Sequence, residues 1–260
     1  MTILPYPARD LLEVATRLAD EAAGIIRAVR ARGFTTQSKQ DASPVTEADE
    51  AAERHILTGL RAAFPLIPVV AEEEVAAGVR TAVGSCFWLV DPLDGTREFA
   101  AGRDDFTVNI GLVSDGTPVL GAMALPAYHQ LYGAIAGQDA WRRDAAGQTP
   151  IHVRQPPPEG LSVLASRHYA DDPRLATWLA GRPVASLGNI GSAAKFVRVA
   201  EGAADLYPRL GPTMEWDTAA PQAIVEAAGG MVVLTDGTPL RYGKTDWRNP
   251  PFLCSARPSA

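Results

Sequence analysis

Cysteine is nearly missing from this chain: its 260 residues include two, Cys86 and Cys254. Two cysteines so far apart make no disulfide framework and point to free thiols in a reducing compartment. Histidine is scarce as well, at four, and none stands in the motifs described below, so it is assigned no role. Positive charge is not in excess: 24 Lys and Arg face 30 Asp and Glu, a formal net charge of −6. That argues against a nucleic-acid scaffold held by bulk basic charge. A small anionic substrate stays open, because bound cations can reverse the sign locally. No uninterrupted apolar run reaches the length of a bilayer span. The stretch Met1 to Asp10 lacks a basic region followed by an apolar core, so no signal peptide is expected. The expected location is cytoplasmic, with peripheral association with the inner membrane surface left open. Internal repeats and low-complexity tracts are missing too, and Pro156-Pro157-Pro158 is the one stiff punctuation near mid-chain. What is present is ordinary: 47% hydrophobic and 21% charged residues, in a length that suits one large domain or two modest ones.

Apolar periodicity predicts a first helix from Ala8 to Arg32, with Leu11, Val14, Leu18, Ile25 and Val29 recurring on one face and Gly33 as its stop. A second helix is expected from Glu47 to Phe64, with Thr46 as N-cap and Asp49 as its capping partner. Strand patterns follow at Ile67 to Ala71, Phe87 to Val90, Phe106 to Val113, Pro118 to Leu125, Gln130 to Ala136 and Ala140 to Arg143. Together these make an N-terminal α+β domain over 1–155. Beyond it the pattern alternates: a strand from Leu161, a helix at Pro173 to Ala180, a strand at Pro183 to Leu187 and a helix at Ser192 to Glu201. A strand at Asp205 to Pro208, a helix at Trp216 to Ala228 and a strand at Met231 to Leu234 complete a smaller α/β domain over 156–260. The Arg241 to Pro251 segment reads as loop.

The chain is organised around Trp88-Leu89-Val90-Asp91-Pro92-Leu93-Asp94-Gly95-Thr96-Arg97-Glu98-Phe99. A buried apolar strand runs into Asp91, Pro92 is expected to end it, and Gly95 permits a turn. That spacing can aim two carboxylates, a backbone carbonyl and a hydroxyl into one small volume, an oxygen set suited to Mg²⁺. Asp-Gly is also a common turn dipeptide, and that plainer reading accompanies it. Glu72-Glu73-Glu74 follows a second apolar β segment, so the ends of two strands can present carboxylates to one cluster. Taken alone, the acid run reads as solvated loop, Asp49 as a cap and Asp217 as an acid near a helix start.

The run Asp91 to Phe99 resembles the D-P-[LI]-D-G-T-x-x-F signature of the inositol monophosphatase superfamily, Mg²⁺-dependent, lithium-sensitive phosphomonoesterases. S-P-V-T-x-A-D around Asp49, the acid pair at Glu72 and W-D-x-A around Asp217 are similar to its other motifs. The resemblance implies an αβαβα layered sandwich, mixed α+β and α/β, with the site in the cleft between its layers. It implies two or three Mg²⁺ ions held by Glu72, Asp91, the carbonyl of Leu93, Asp94 and Asp217. Ala71 departs from the usual Gly or Ser, and the third acid leaves Glu73 as the alternative to Glu72. Asp49 and Thr96 would position the attacking water, with one metal activating it and the others screening the phosphate. The N–H groups of Gly95 and Thr96 would bind phosphate oxygens, and no covalent phospho-intermediate is implied.

Within the superfamily the likeness is strongest to the 3′(2′),5′-bisphosphate nucleotidase branch. It rests on Asp91 to Phe99, Phe106 to Ile110, Gly191 to Phe196 and Tyr207 to Thr213. Lys195 stands where inositol monophosphatases typically have an apolar residue, and Arg209 close to where they have an acid. Two cations suit a substrate with a second phosphate. Ser166 and Ser192 match positions that contact the nucleotide, and Glu72, Leu93, Asp94 and Asp217 complete the expected substrate contacts. The expected reaction is release of the 3′-phosphate from adenosine 3′,5′-bisphosphate, and from 3′-phosphoadenylyl sulfate, in sulfur-assimilation nucleotide turnover. An inositol monophosphatase or fructose-1,6-bisphosphatase is the runner-up, and a non-catalytic metal-binding relative the alternative of another class. A monomer or homodimer is expected, with no nucleic-acid polymer as partner.

Overall fold

A computed structural model describes residues 4–38, 44–169 and 172–256. Part of the segment from Phe34 to Thr46, including Ser43 of the S-P-V-T motif, lies outside the described residues. Helix α1 (Ala8–Arg32) forms as expected and buries Leu11, Leu18, Ile26 and Val29. After the short paired strands β1 (Thr36–Ser38) and β2 (Pro44–Thr46) comes α2 (Glu47–Ala63), closed at its start by a full Thr46–Asp49 capping box. Both helices lie on one face of a seven-stranded sheet. Its strands, in spatial order, are β3 (Val69–Ala71), β4 (Cys86–Asp94), β5 (Thr107–Ser114), β6 (Thr117–Leu125), β7 (Gln130–Ile135), β8 (Trp141–Asp144) and β9 (Gly147–Pro150). The β3–β4 pair is parallel and the rest is an antiparallel meander.

The second half builds a five-stranded sheet. It contains β10 (Leu161–Ser166), β11 (Val184–Ile190), β12 (Leu206–Arg209), β14 (Gly230–Leu234) and β16 (Phe252–Ala256), in the order β11-β10-β12-β16-β14. A two-stranded patch joins β13 (Thr213–Met214) to β15 (Arg248–Asn249). Between the two sheets lie α6 (Ala194–Ala200) and α7 (Ala219–Ala227), while α5 (Pro173–Leu179) buries Leu175 near Ala165 and Pro208. The result is a layered α/β sandwich, as the motif resemblance implies.

Two glycines explain how closely the middle layer seats on the first sheet. Gly111 and Gly121 face each other across β5 and β6. A Cβ on Gly111 would lie 2.6 Å from the Ala220 nitrogen, and one on Gly121 would lie 2.2 Å from the Ala220 oxygen. Without side chains there, the first turn of α7 rests directly on the sheet, and so the Asp217 turn just before it is fixed relative to β4 and β5.

Several expectations are corrected. Pro92 does not end β4. The strand continues to Asp94 through a bulge, with Asp91 opposite Asn109 and Asp94 opposite Thr107. One extra residue is accommodated there, and a proline costs no ladder bond at a bulge. Glu72-Glu73-Glu74 is not loop but opens the one-turn helix α3 (Glu72–Ala76). The sixth helix begins at Ala194, two residues later than expected, and α7 at Ala219, three later. The tail after Pro251 is a central strand, β16, paired on both sides.

Candidate active site

The β4 bulge delivers the first group of polar atoms. Asp91 is buried, and its Oδ1 accepts the Leu93 N–H at 3.0 Å. Gly95 takes φ 94°, in the left-handed region, and a Cβ there would lie 2.8 Å from the Asp105 oxygen and 3.1 Å from the Ser192 Cβ. Glycine therefore allows both the turn and the close approach of the second layer. Thr96 follows at the start of α4 (Thr96–Ala100). Its Oγ1 lies 2.9 Å from Asp49 Oδ1 and 3.0 Å from the Leu93 carbonyl, two acceptors for its single hydrogen.

Asp49 is both a cap and the partner of Thr96. Its Oδ2 accepts the Thr46 N–H at 2.8 Å and the Thr46 hydroxyl at 2.7 Å, while Oδ1 takes Thr96. Burial pushes the Asp49 carboxyl up from the ordinary range, and these three donors pull it back.

Glu72, Asp91 and Asp217 converge, each offering a carboxylate oxygen within 4.8 Å of the others. Glu72 lines the cleft, whereas Glu73 lines a separate cavity behind α3 with Glu50, Arg61 and Val79. Of the two acids, Glu72 is the one the fold turns toward Asp91 and Asp217. Asp217 lies in the turn ahead of α7, where its Oδ2 accepts the Met214 N–H at 2.9 Å. The neighbouring Glu215, fully buried, anchors that turn by accepting the N–H groups of Gly243 and Lys244 at 2.8 and 2.9 Å. Burial first, then the charges of Asp94 and Glu72, push the Asp217 carboxyl well above the carboxylate range. Hard, crowded oxygen donors that repel one another are the donor set a divalent cation such as Mg²⁺ relieves, so the residues present fit that group. Asp94 stands beside this trio and reaches the other layer, its Oδ2 accepting the Ala193 N–H. Burial raises its carboxyl as well, opposed by Lys195.

Two cations line the same cleft. Lys195 is buried, and its ammonium donates to the carbonyls of Ile190 (3.1 Å) and Ser192. Burial draws it below the ordinary lysine value, against the pull of Asp94. Ser192, expected to open α6, lies outside it. Ser192 precedes α6 with φ 50°, and Lys195 folds back onto its carbonyl. Arg209 lies over the Tyr169 ring at 4.9 Å and donates from Nη2 to the Pro212 carbonyl at 2.7 Å. Its Nε is buried with no hydrogen-bond partner among the described residues. Ser166, at the end of β10, joins Lys195, Arg209 and the acids around one cleft of about 500 Å³.

Sequence reasoning missed part of this cleft. It assigned histidine no role, yet His168 lines the wall, with Nε2 3.0 Å from Oε1 of the buried Glu98. Arg167 reaches Asp105 at 2.7 Å beside it. The available signal was the acid within R-E-F and the basic pair directly after the Ser166 strand. Gly191 admits Glu98, because a Cβ there would lie 2.4 Å from its Cγ.

Residues 8–258 match the family model described as the inositol monophosphatase family. The chain is 42% identical over 245 residues to the 3′(2′),5′-bisphosphate nucleotidase CysQ of Salmonella typhimurium, covering 93% of this chain and 98% of that protein. It is 38% identical to the 3′-phosphoadenosine 5′-phosphate phosphatase of Mycobacterium leprae, over 80% of this chain and 76% of that one. Among solved structures, CysQ from Bacteroides thetaiotaomicron superposes with a TM-score of 0.79 at 31% identity, covering 96% of this chain and 98% of that one. An inositol monophosphatase from Anabaena gives a TM-score of 0.75 at 28% identity, covering 95% of this chain and 90% of that one.

Proposed function

The chain belongs to the inositol monophosphatase family, and we propose that within it the protein is a Mg²⁺-dependent 3′(2′),5′-bisphosphate nucleotidase. It removes the 3′-phosphate from adenosine 3′,5′-bisphosphate, and from 3′-phosphoadenylyl sulfate, as part of nucleotide turnover in sulfur assimilation. The observation that carries this reading is one cleft lined both by a carboxylate trio and by Lys195 and Arg209. The likeness to relatives named for this activity supports it.

Glu72, Asp91, the Leu93 carbonyl, Asp94 and Asp217 would hold two or three Mg²⁺ ions. When bound, magnesium supplies Lewis acidity, screening phosphate charge and acidifying nearby water. The chain's own part is positional. Asp49, fixed as an acceptor by Thr46, takes the Thr96 hydrogen. The Thr96 lone pairs then accept from a water and hold it for in-line attack on phosphorus. The Gly95 and Thr96 N–H groups bind phosphate oxygens in the turn. Arg209, with an unused Nε donor, takes the phosphate that is not cleaved, and Ser166 and Ser192 line the nucleotide's path. No side chain accepts the phosphoryl group.

The test is phosphate release, with and without Mg²⁺, from adenosine 3′,5′-bisphosphate, 3′-phosphoadenylyl sulfate, inositol 1-phosphate and fructose 1,6-bisphosphate. The two nucleotides should lead in kcat/KM by at least about tenfold, the size of one charge-assisted contact to phosphate. Preference for inositol 1-phosphate or the sugar bisphosphate would overturn the substrate assignment. Equal rates in EDTA would overturn the metal dependence.

A further inference from the structure

Helix α3 is a single turn with no means of holding itself together. Five residues fall far below the length at which a helix is stable in water. Its N-cap, Ala71, has no side-chain hydrogen bond to offer the exposed N–H groups. Those groups are satisfied instead from another helix. Glu53 of α2 is 5% exposed, and its two carboxylate oxygens accept the N–H groups of Glu73 at 2.8 Å and Glu74 at 2.9 Å. The helix clamped in this way begins with Glu72, one of the three converging carboxylates.

Glu53 stands one helical turn after Asp49, which holds Thr96. Their Cα atoms are about 6 Å apart along the axis, at about 1.5 Å of rise per residue. Both are buried, and the helix that carries them is capped at its start and packed into the core through Ile56 and Leu60. Helix α2 therefore spaces two parts of the site that are far apart in sequence: the threonine that orients water and the glutamate that completes the acid trio. We propose that Glu53 is a positioning residue for the metal site, holding α3 so that Glu72 stays within reach of Asp91 and Asp217. The inference rests on the metal-dependent reading above.

Its test separates the two readings by measuring Mg²⁺ binding calorimetrically, without substrate, on wild type, Glu53→Gln, Glu53→Ala and Arg61→Ala. Arg61 is the control: it lies on the same helix and pairs with Glu74 at 2.7 Å, but at the surface. Removing a group that orients a metal ligand typically weakens metal affinity about 10–100-fold. Glu53→Ala should fall in that range. Glu53→Gln, which keeps one acceptor oxygen, should fall near its lower end, and Arg61→Ala should stay within about twofold, as a surface pair. Raising Mg²⁺ should restore most of kcat to both Glu53 variants, because excess ion offsets weaker binding, whereas a generally loosened fold would stay slow at every concentration. Unchanged Mg²⁺ affinity in both Glu53 variants would overturn the proposal while leaving the proposed function standing. So would loss of the native fold in both, which would make Glu53 a folding residue. A wild-type protein that binds no Mg²⁺ would overturn the proposed function and this inference together.

Discussion

The two walls of the cleft are built in different ways. On the acidic wall, Asp91, Leu93, Asp94, Gly95 and Thr96 are nearly consecutive, set by one bulge in a buried strand and tied to a capped helix through Asp49. On the cationic wall, Ser166, Ser192, Lys195 and Arg209 come from β10, the loop before α6, α6 itself and β12. That wall leans on a strand, β11, with no fully buried residue, and on a serine at φ 50°. The Asp91 to Thr96 part of the chemistry is locally over-determined, whereas Glu72 and Asp217 are brought to it from α3 and from the turn before α7. The groups assigned to recognition depend on how separate elements pack, so substrate preference can change while the acidic wall stays the same.

The sharpest way to break this contrast is on the acidic wall. Asp94→Asn keeps the size of the side chain but removes a charged oxygen donor, and it should lower kcat by about a thousandfold or more, several kcal/mol of lost charge stabilisation. The unfolding temperature in EDTA should hold or rise, since a buried carboxylate is being neutralised. Near-normal turnover at saturating Mg²⁺ would remove Asp94 from the site.

Gly121→Ala attacks the link between the walls. Its new Cβ meets the Ala220 oxygen, so α7 and the Asp217 turn must shift. Overpacking of this kind costs about 1–3 kcal/mol. Denaturation should show that loss together with weaker Mg²⁺ binding. Lost stability with unchanged Mg²⁺ affinity would mean that the glycine pair does not set the position of Asp217.

A smaller effect comes from pH. Asp94 and Asp217 are raised by burial, and Glu53 is raised by burial to about 7. Between the ordinary carboxylate range and these raised values, the metal-free folded protein holds more protons than the unfolded chain. Its stability should therefore fall as pH rises through that window. Mg²⁺ competes with the same protons, so its affinity should rise with pH and its binding should release more protons at pH 6 than at pH 8. Thermal unfolding in EDTA at both pH values, with calorimetry in buffers of different ionisation enthalpy, checks the two signs. Proton uptake on Mg²⁺ binding would contradict the assignment.

The same contrast explains what could be read from sequence. The Asp91 to Thr96 run and the Thr46–Asp49 cap were legible because their partners lie within a few residues. Most helices and strands were legible from periodicity, and the layered arrangement from the resemblance carried by the motifs. Pro92 was misread because the rule that proline ends a strand does not foresee a bulge that absorbs it. Strand β16 was missed because its place between β12 and β14 is set by partners far away in sequence. Ser192 was placed inside the sixth helix because helical spacing was extended back over a left-handed residue. Glu53 and His168 belong to no motif, and their partners, Glu73, Glu74 and Glu98, are brought to them only by folding.

The central claim is that one wall performs the chemistry and the other reads the second phosphate. Wild type and Arg209→Ala, each assayed on adenosine 3′,5′-bisphosphate and on adenosine 3′-monophosphate, test it most directly. A charge-assisted contact to phosphate is worth ~1.5–3 kcal/mol, so the variant should lose roughly ten- to a hundredfold in kcat/KM on the bisphosphate, mainly through KM. The loss should be much smaller on the monophosphate, which lacks the 5′ group. Equal losses on both substrates would contradict the claim and make Arg209 a support for the Tyr169 and Pro212 side of the cleft.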